Sequence, residues 1–300
     1  RYCMAEDMTF LRRKDILSLD EIVALADAFV ARGVRKIRLT GGEPLSRRGA
    51  VDVVARGIGR LIGNGLEELT LTTNASRLAE FAPALFEAGI RRVNVSLDSL
   101  DADRFRYVTR TGDLATVLDG IRAGAAAGLK IKINMVALNG LNDDEIIPML
   151  RWCGDHGYDL SLIETMPLGV IDDDRQDRFL PLTKVRQALD EEFSPLPSLH
   201  KTSGPARYWD VPDLGIKLGM ISPLTGNFCE SCNRIRVSAS GKLYMCLGHE
   251  DHIDLLAALR SGDATLFDSA VDQALRLKPK AHSFDLSQPA TARHMNVTGG

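Results

Sequence analysis

The sequence predicts an α/β fold in which strands and helices alternate, and three observations support this. A Gly followed by a short connection and a strand-like run recurs at 33–40, 65–72, 89–96, 128–134 and 157–164. Such a Gly typically ends a helix, and amphipathic helical patterns occupy the intervals between the copies. Each strand-like run also alternates apolar with polar side chains. A regular alternation of strand and helix is typical of parallel βα units.

The first part of the chain gives these units in order. Ser18 and Glu21 form a predicted capping box, and the helix after them carries apolar residues on one face. Further helices are predicted at about 49–62, 76–88, 114–127 and 144–156. The run 165–174 reads as a long loop after the fifth strand. Thr183 is the predicted cap of one more helix.

The composition changes at 194–205, where Pro, Ser and Gly mark the end of the repeats. Beyond this stretch we predict a strand at 216–222, helices at about 251–262 and 264–277, and a loop-like tail over 280–300. The chain therefore divides into a region of βα units, residues 1–195, and a C-terminal region, residues 196–300.

The two faces of the predicted strands differ in chemistry. Strands of an ordinary parallel sheet are buried on both faces and apolar throughout. Here one parity is apolar, and the other carries Arg38, Thr40, Thr70, Thr72, Asn94, Ser96, Lys132, Asn134 and Ser161. If the apolar parity meets the helices, the polar parity lines a solvated cavity for a polar ligand. The alternative is a flat sheet with one wet face, although parallel sheets are rarely left uncovered.

Composition excludes several classes of protein. The 300-residue chain has a net charge of −3, which gives no global basic field for DNA or RNA. Five cysteines in a chain of this length do not suggest a secreted disulfide framework. Because no apolar run approaches membrane-spanning length and no signal peptide is evident, we expect a soluble protein of the reducing cytoplasm.

The stretch 227–248 carries the clearest chemical signal. Cys229 and Cys232 form a C-x-x-C pair, and Cys246 follows thirteen residues later. Thiolates at this spacing suit zinc or an iron–sulfur cluster. With His249 as a fourth ligand the set makes a structural zinc site, which this stretch taken alone favours. Without it, three thiolates hold a cube and leave one iron open.

Two arginines follow the cysteine pair at alternate positions. If the segment is extended, Arg234 and Arg236 point the same way and can grip an anion bidentately. Three function classes remain open on these residues: an iron–sulfur enzyme, a non-catalytic α/β protein with a structural Cys3His zinc site and nucleotide-binding arginines, and a binding module for nucleotides or RNA.

Several ordered motifs resemble the radical S-adenosylmethionine superfamily. Thr40-Gly-Gly-Glu-Pro44 follows a strand, and paired glycines there let a ligand touch the backbone. Arg1-Tyr2-Cys3 resembles the end of the superfamily's C-x-x-x-C-x-x-C motif, whose first two cysteines and leading strand would precede Arg1. Within the superfamily the chain resembles the GTP 3′,8-cyclase family of molybdenum cofactor biosynthesis. The segments that carry this resemblance are 71–74, 92–98, 142–145, 163–167, the second cysteine set with Asn-Arg-Ile-Arg, and the terminal Gly299-Gly300.

The resemblance implies an α/β fold, an incomplete (β/α)6 TIM-type barrel with a C-terminal iron–sulfur cluster region. It implies two 4Fe–4S clusters, one held through Cys3 and one held by Cys229, Cys232 and Cys246. It implies contacts to S-adenosyl-L-methionine from Tyr2, Gly42, Ser96 and Met166. It also implies contacts to GTP from Arg38, Thr72, Lys132, Arg234, Ile235 and Arg236.

The implied reaction is a radical cyclisation that begins molybdenum cofactor biosynthesis. A 5′-deoxyadenosyl radical removes the ribose 3′ hydrogen of GTP, and the carbon radical attacks C8 to give (8S)-3′,8-cyclo-7,8-dihydroguanosine 5′-triphosphate, a lyase reaction. The implied partners are a flavodoxin- or ferredoxin-type electron donor and, through its substrate, cyclic pyranopterin monophosphate synthase. The protein would be a monomer or homodimer.

Two departures from the family's pattern qualify the resemblance: the first two cysteines of the N-terminal motif do not occur in this sequence, and Ser161 is the second departure. Ser161 stands where many relatives carry Arg, which puts one phosphate contact in doubt. Gly299 and Gly300 lack side chains, so the tail could enter a narrow active site, whereas a frayed terminus is the ordinary alternative. Cys153 matches no motif and is expected to be a buried small hydrophobe.

Overall fold

A computed structural model describes residues 11–169, 175–202, 204–226 and 228–299. The predicted site residues Tyr2, Cys3 and Gly300 lie outside these ranges. Within them, no helix has both the length and the apolar character of a membrane span.

One eight-stranded sheet organises the molecule, in the order β1-β2-β3-β4-β5-β8-β7-β6. Strands β1 to β5 and β8 run parallel to one another, and the remaining pairings, of β7 with β8 and of β6 with β7, are antiparallel. Six parallel strands in an open sheet confirm the predicted incomplete (β/α)6 barrel. The strands are β1 (Lys36–Leu39), β2 (Glu68–Thr73), β3 (Arg92–Ser96), β4 (Lys130–Ala137), β5 (Asp159–Glu164), β6 (Leu196–Pro197), β7 (Arg207–Val211) and β8 (Ile216–Ile221).

The helices of the first region follow the strands closely. The capping box is present, since Ser18 Oγ accepts from Glu21 N at 3.0 Å and Glu21 Oε2 accepts from Ser18 N at 2.7 Å. The second predicted helix begins as a π-helical segment, Ala50–Ala55, that runs into α2. The helices are α1 (Leu19–Ala31), α2 (Arg56–Gly59), α3 (Leu78–Glu87), α4 (Ala102–Thr109), α5 (Leu114–Ala126), α6 (Ile146–His156), α7 (Arg175–Arg178) and α8 (Leu182–Phe193).

The alternation of the strands separates a core from a cavity. The apolar parity is buried, with Leu71, Val93 and Ile133 at 1% exposure or less, and packs on the helices in one large core. The polar side chains of the strands point toward the C-terminal region. The charge of Arg234 lowers the pKa of Arg38 on β1, and Lys132 on β4 donates a hydrogen bond to Tyr208 on β7. The flat sheet with an uncovered wet face is therefore the wrong alternative.

The C-terminal region builds a small sheet against the barrel. Its antiparallel order is β11-β10-β9. A second core forms between this sheet, α1 and α10, where the rings of Phe29 and Phe267 meet edge to face with centroids 5.7 Å apart. The elements are β9 (Arg236–Val237), β10 (Lys242–Tyr244), β11 (His252–Asp254), α9 (Leu256–Ser261), α10 (Ala264–Arg276) and α11 (Met295–Thr298).

Three local predictions are corrected. The predicted helix at 251–262 begins as strand β11, because His252–Asp254 pairs with β10, and the helix starts only at Leu256. Thr183 does not cap α8, which begins at Leu182 after Pro181. The buried carboxylate of Glu164 accepts from Leu182 N at 3.1 Å and takes the place of a local cap. The tail also contains a short helix, α11, instead of being loop throughout.

The predicted boundary between residues 195 and 196 falls inside the main sheet. Strands β6, β7 and β8 of the later region continue the sheet begun by β1–β5. The two regions thus share one sheet and meet along β5 and β8. The boundary itself stays a prediction.

Candidate active site

One half of the candidate site consists of polar side chains that project from the strands of the main sheet. Thr72 lies near the end of β2 and accepts a hydrogen bond from Asn94 Nδ2 at 3.4 Å. Arg92 in turn donates to Asn94 Oδ1 at 3.2 Å and to Glu68 Oε1 at 2.7 Å. Lys132 lies in the first half of β4, deeper than the strand end where sequence reasoning placed most of the set.

Lys132 is fixed by an aromatic partner. Its side chain is buried, and Nζ donates to the Tyr208 hydroxyl at 2.7 Å and lies 5.0 Å from the ring centroid. Burial lowers the pKa of Lys132, and the Tyr208 hydroxyl acts in the opposite direction. Arg92 and Arg38 also disfavour its charge. Lys132 is therefore a cation held in a fixed position inside the cavity.

The arginines of the two regions converge. Burial lowers the pKa of Arg38, and the charges of Arg92 and Arg234 lower it further. Arg38 nevertheless keeps a solvent-accessible side chain, so a ligand can reach its guanidinium. The carboxylate of Glu68 acts in the opposite direction and raises the pKa of Arg38, but it already forms an ion pair with Arg92. Cations packed in this way favour an anionic ligand.

Arg236 links this cationic group to the cysteines. Its pKa is lowered to about 10, first by burial and then by the charge of Arg234. The thiols of Cys232 and Cys246 oppose that shift, and Arg38 adds to it. Arg236 is thus within electrostatic reach of both halves of the site. The side chain of Ile235, between the two arginines, packs on the second core.

The three cysteines of the C-terminal region form no disulfide and have intermediate exposure. The short 3₁₀ turn Cys229–Ser231 shapes the pair, and Cys232 N donates to Cys229 O at 3.0 Å. Although burial opposes it, the pKa of Cys232 is lowered by the backbone of Arg234 and by the charges of Arg234 and Lys278. This environment favours the thiolate, which is the form that binds metals.

The three thiols were predicted to hold either one zinc ion, with His249 as the fourth ligand, or an iron–sulfur cube. Among residues 11–169, 175–202, 204–226 and 228–299, no three His, Cys, Asp or Glu side chains converge closely enough to hold a metal ion. His249 Nε2 instead donates to the Ala281 carbonyl oxygen at 3.2 Å. The assignment of the three thiols to a cluster, and the Cys3His zinc alternative, therefore both stay predictions.

The predicted S-adenosylmethionine contacts lie at one edge of the sheet. Gly42 follows β1, Ser96 ends β3 and Met166 follows β5. The space beside Gly42 is open among the described residues, because a Cβ there would meet nothing within 4 Å. Ser96 is exposed, and Met166 is half-buried. Ligands bind at this edge in barrels of parallel strands.

Carboxylates and amides tie the loops of this edge together. Glu43 accepts from Thr73 Oγ1 at 2.8 Å and from Asn74 N at 2.7 Å, which joins the Gly-Gly-Glu-Pro turn to the end of β2. Asn142 donates to the carbonyl oxygens of Asp98 and Val136 at 2.8 and 2.9 Å. The segments that carried the sequence resemblance therefore bond to one another.

The C-terminal tail crosses this edge. Ala290 N donates to Pro167 O at 2.7 Å, and Gly169 N donates to Thr291 O at 2.9 Å, next to Met166. At its far end Gly299 touches Thr40, since a Cβ on Gly299 would lie 2.2 Å from Thr40 Cγ2. Its φ of +66° also favours glycine. The tail spans from the end of β5 to the end of β1.

Arg293 holds the tail against the C-terminal region. Its side chain is 5% exposed and donates to Leu247 O at 2.8 Å, His249 O at 3.1 Å and Glu250 Oε2 at 3.1 Å. The guanidinium also lies 4.0 Å from the centroid of the Tyr244 ring. These contacts fasten the tail directly after the loop that carries Cys246.

Ser161 lies in a narrow part of the cavity wall. It is fully buried, and its Oγ has no hydrogen-bond partner among the described residues. A Cβ on the paired Gly219 would lie 2.6 Å from this Oγ and 3.1 Å from Tyr208. Ser161 therefore packs closely against β8, and Tyr208 of the next strand, β7, lies beside them.

Sequence reasoning missed four residues that shape the site: Glu43, Tyr208, Lys278 and Arg293. Glu43 was within a recognised motif, but its partners on β2 depend on the fold. Tyr208 lies in a polar-aromatic run that gave no strand prediction. Lys278 and Arg293 lie in the stretch after α10, where no periodic pattern distinguishes them from solvated charges.

Two family models match the chain. The Radical SAM superfamily model covers residues 1–153, and the model described as Molybdenum Cofactor Synthesis C covers residues 158–284. The first match ends within α6, and the second begins just before β5. Together they cover the barrel strands and the cysteine-bearing region.

Curated relatives match along the whole chain. A protein of Rhizobium etli (strain CIAT 652) named GTP 3′,8-cyclase is 53% identical over 304 residues, which is 100% of this chain and 87% of the relative. A protein of the same name from Rhizobium meliloti is 53% identical over 305 residues with the same coverage. One from Erythrobacter litoralis is 52% identical and is covered to 91%.

A solved structure shares the fold. Streptococcus suis SuiB bound to S-adenosylmethionine superposes with a TM-score of 0.59 over 84% of this chain. The sequences are 13% identical, and this chain covers 60% of SuiB, so the likeness concerns the fold alone.

Proposed function

Because this chain belongs to the GTP 3′,8-cyclase family of the radical S-adenosylmethionine superfamily, we propose that it cyclises GTP in the first step of molybdenum cofactor biosynthesis. The proposed product is (8S)-3′,8-cyclo-7,8-dihydroguanosine 5′-triphosphate. The chain is a radical enzyme and not a passive nucleotide-binding module.

One observation carries the choice of substrate: the convergence of cations from both regions on one cavity. Arg38 from β1, Lys132 from β4, and Arg234 and Arg236 after the cysteine pair influence one another electrostatically. A triphosphate offers several negative charges, and arginines can bind its oxygens bidentately. Thr72 adds a neutral hydroxyl at the same wall.

Membership in the superfamily brings a 4Fe–4S cluster and S-adenosylmethionine as cofactors. Together these supply the radical that removes a hydrogen from the substrate. We assign Cys3 to that cluster, and Tyr2, Gly42, Ser96 and Met166 to the S-adenosylmethionine site. The open space at Gly42 supports this, because backbone there can approach a ligand closely.

We assign a second 4Fe–4S cluster to Cys229, Cys232 and Cys246. A cube held by three thiolates would leave one iron free to meet the guanine base. Arg236, close to Cys232 and Cys246, would hold the nucleotide beside that iron, and Arg234 and Ile235 complete the strip. The residues' part in the reaction is to hold the ribose and C8 of one substrate molecule in a reactive geometry.

The tail completes the proposed site. Gly299 packs on Thr40, directly before the Gly-Gly turn, so the terminal Gly299-Gly300 would cover the substrate from the barrel edge. We further propose a cytoplasmic enzyme, monomeric or dimeric. It would be reduced by a flavodoxin- or ferredoxin-type donor and would pass its product to cyclic pyranopterin monophosphate synthase.

An anaerobic turnover assay tests the proposal. Full-length reconstituted protein is given GTP, S-adenosylmethionine and a chemical reductant, and the nucleotide products are separated and identified by mass spectrometry and NMR. We expect 5′-deoxyadenosine and the 3′,8-cyclised nucleotide in equal amounts. Cleavage of S-adenosylmethionine with GTP recovered unchanged would contradict the proposed substrate.

A further inference from the structure

We propose that Lys278 is a positioning residue for the second cluster, which sets the spacing of its cysteine ligands and raises its reduction potential. This inference rests on the proposed cluster at Cys229, Cys232 and Cys246. No sequence motif contains Lys278, and neither the radical chemistry nor the nucleotide contacts use it.

The ammonium group of Lys278 joins the two segments that carry the cysteines. Nζ donates to the carbonyl oxygen of Arg234 at 2.7 Å and to that of Met245 at 2.7 Å. Arg234 lies two residues after Cys232, and Met245 directly precedes Cys246. One side chain therefore fixes the distance between the C-x-x-C turn and the strand return.

The third hydrogen of the ammonium is directed at a ligand. A lysine has three donors, and after two carbonyl bonds the remaining contact is to Cys232 Sγ at 3.9 Å. A hydrogen bond and a positive charge at a cluster sulfur stabilise the reduced, more negative cluster. Lys278 should therefore raise the potential of the cluster it supports.

The fold holds Lys278 in place. It follows the end of α10, and Lys278 N donates to Leu275 O at 3.3 Å. Helix α10 is fixed to α1 through Phe267 on Phe29 and through Arg32, which bonds Asp268 at 2.7 Å and also Asp272. A cation just after a helix C-terminus is also favoured by the helix dipole. The partly buried ammonium is thus presented to the cysteines by a rigid element.

The test uses the full-length protein carrying Cys3→Ala, so that the spectrum reports the second cluster alone. Lys278→Met, Lys278→Gln and Lys278→Arg are reconstituted with iron and sulfide, and Lys280→Met is the matched control on the exposed side of Pro279. Iron is counted, the potential is read by EPR during anaerobic reduction, and cluster loss is followed by absorbance with a chelator present.

We expect about four irons in the Cys3→Ala parent and in Lys280→Met. Lys278→Met should lose its cluster several-fold faster, because the two cysteine segments are no longer joined. Lys278→Gln keeps N–H donors without charge, so it should load iron but shift the potential to more negative values. Lys278→Arg should keep the parent potential while losing iron faster.

The outcomes separate the two proposals. A parent without iron would refute the second cluster and this inference with it. A loaded parent whose potential and cluster lifetime are the same in Lys278→Met, Lys278→Gln and Lys280→Met would refute the role of Lys278 alone. Thermal melting monitored by circular dichroism identifies a misfolded variant, in which case Lys278→Gln decides.

Discussion

The two halves of the active site are built by different means. The barrel half comes from strands whose register alternates side chains, so that Arg38, Thr72 and Lys132 reach the cavity because their neighbours are buried on the other face. The C-terminal half has only short strands and turns. Its shape depends on single side chains, Lys278 and Arg293, that bond backbone carbonyls far away in sequence.

This difference predicts which parts of the site should keep their geometry after a substitution and which should lose it. Thr72 on β2 and Lys132 on β4 should keep their direction even if their own contacts are lost, since both strands are paired on two sides, and Arg38 lies on β1, which is paired with β2. A turn held by one lysine or arginine has no such support. Substitutions in the barrel half should therefore change affinity, whereas substitutions of the fastening residues should also change stability and cofactor retention.

The largest expected effect is at the junction of the two halves. Arg236→Ala removes the cation that reaches Arg38 on one side and Cys232 and Cys246 on the other. We expect kcat/KM for GTP to fall at least about 100-fold, as for loss of a preorganised charged donor. Steady-state turnover measures this, and Arg122→Ala, an exposed residue paired with Asp119, is the control. A loss of less than about fivefold would place Arg236 outside the substrate site.

Arg293→Ala tests the fragility of the C-terminal half. The change removes the guanidinium that donates hydrogen bonds to the carbonyl oxygens of Leu247 and His249 and to the carboxylate of Glu250. We expect a loss of about 2 kcal/mol in the free energy of unfolding and faster proteolysis of the tail. Chemical denaturation measures the loss. Arg276→Ala, an exposed residue at the end of α10, should change stability by less than about 0.5 kcal/mol.

The sequence predicted the barrel half well because its signal is periodic and local. On β2 the apolar residues Leu69 and Leu71 alternate with Thr70 and Thr72, so the sequence alone distinguishes the two faces of the strand. Leu69 and Leu71 are buried, as this alternation predicts. The C-terminal half has no such period. Lys278 could not be told from Lys280 by sequence, since only the packing of α10 on α1 brings one of them to Cys232.

Other predictions failed for the same reason. Residues 252–254 were included in a predicted helix, but His, Ile and Asp are weak helix formers and this segment pairs with the edge of β10. Thr183 is a good cap by type, yet α8 begins one residue earlier, and Glu164 at the end of β5 accepts from the N–H of its first residue, Leu182. In both cases a residue distant in sequence determined the local structure.

Gly299→Val tests whether the tail belongs to the site. A Cβ at this position would overlap Thr40, and the positive φ adds strain, so the tail should be displaced from the barrel edge. We expect about a tenfold fall in turnover with little change in melting temperature. Gly157→Ala has a similar φ of +69° but open space around its Cβ, so it reports backbone strain alone. Equal effects of the two substitutions would argue against a role for the tail.

The smallest effect is expected at Tyr208. Tyr208→Phe removes the hydroxyl that accepts a hydrogen bond from Lys132, so KM for GTP should rise about fivefold while kcat changes little.

The pH dependence of GTP affinity follows from the lowered pKa of Lys132. GTP binding needs the charged lysine, so affinity is full below that pKa and falls as pH rises through it. Because the hydroxyl raises this pKa, Tyr208→Phe should move the fall to lower pH. An unchanged pH profile of KM would contradict the assignment.

The most direct test of the whole account is the metal content of the C-terminal half. In full-length protein carrying Cys3→Ala, the added substitutions Cys246→Ala and His249→Ala are compared by anaerobic iron, sulfide and zinc analysis. The account predicts about four irons retained in His249→Ala and lost in Cys246→Ala. One zinc per chain in the parent, lost when His249 is replaced, would contradict it.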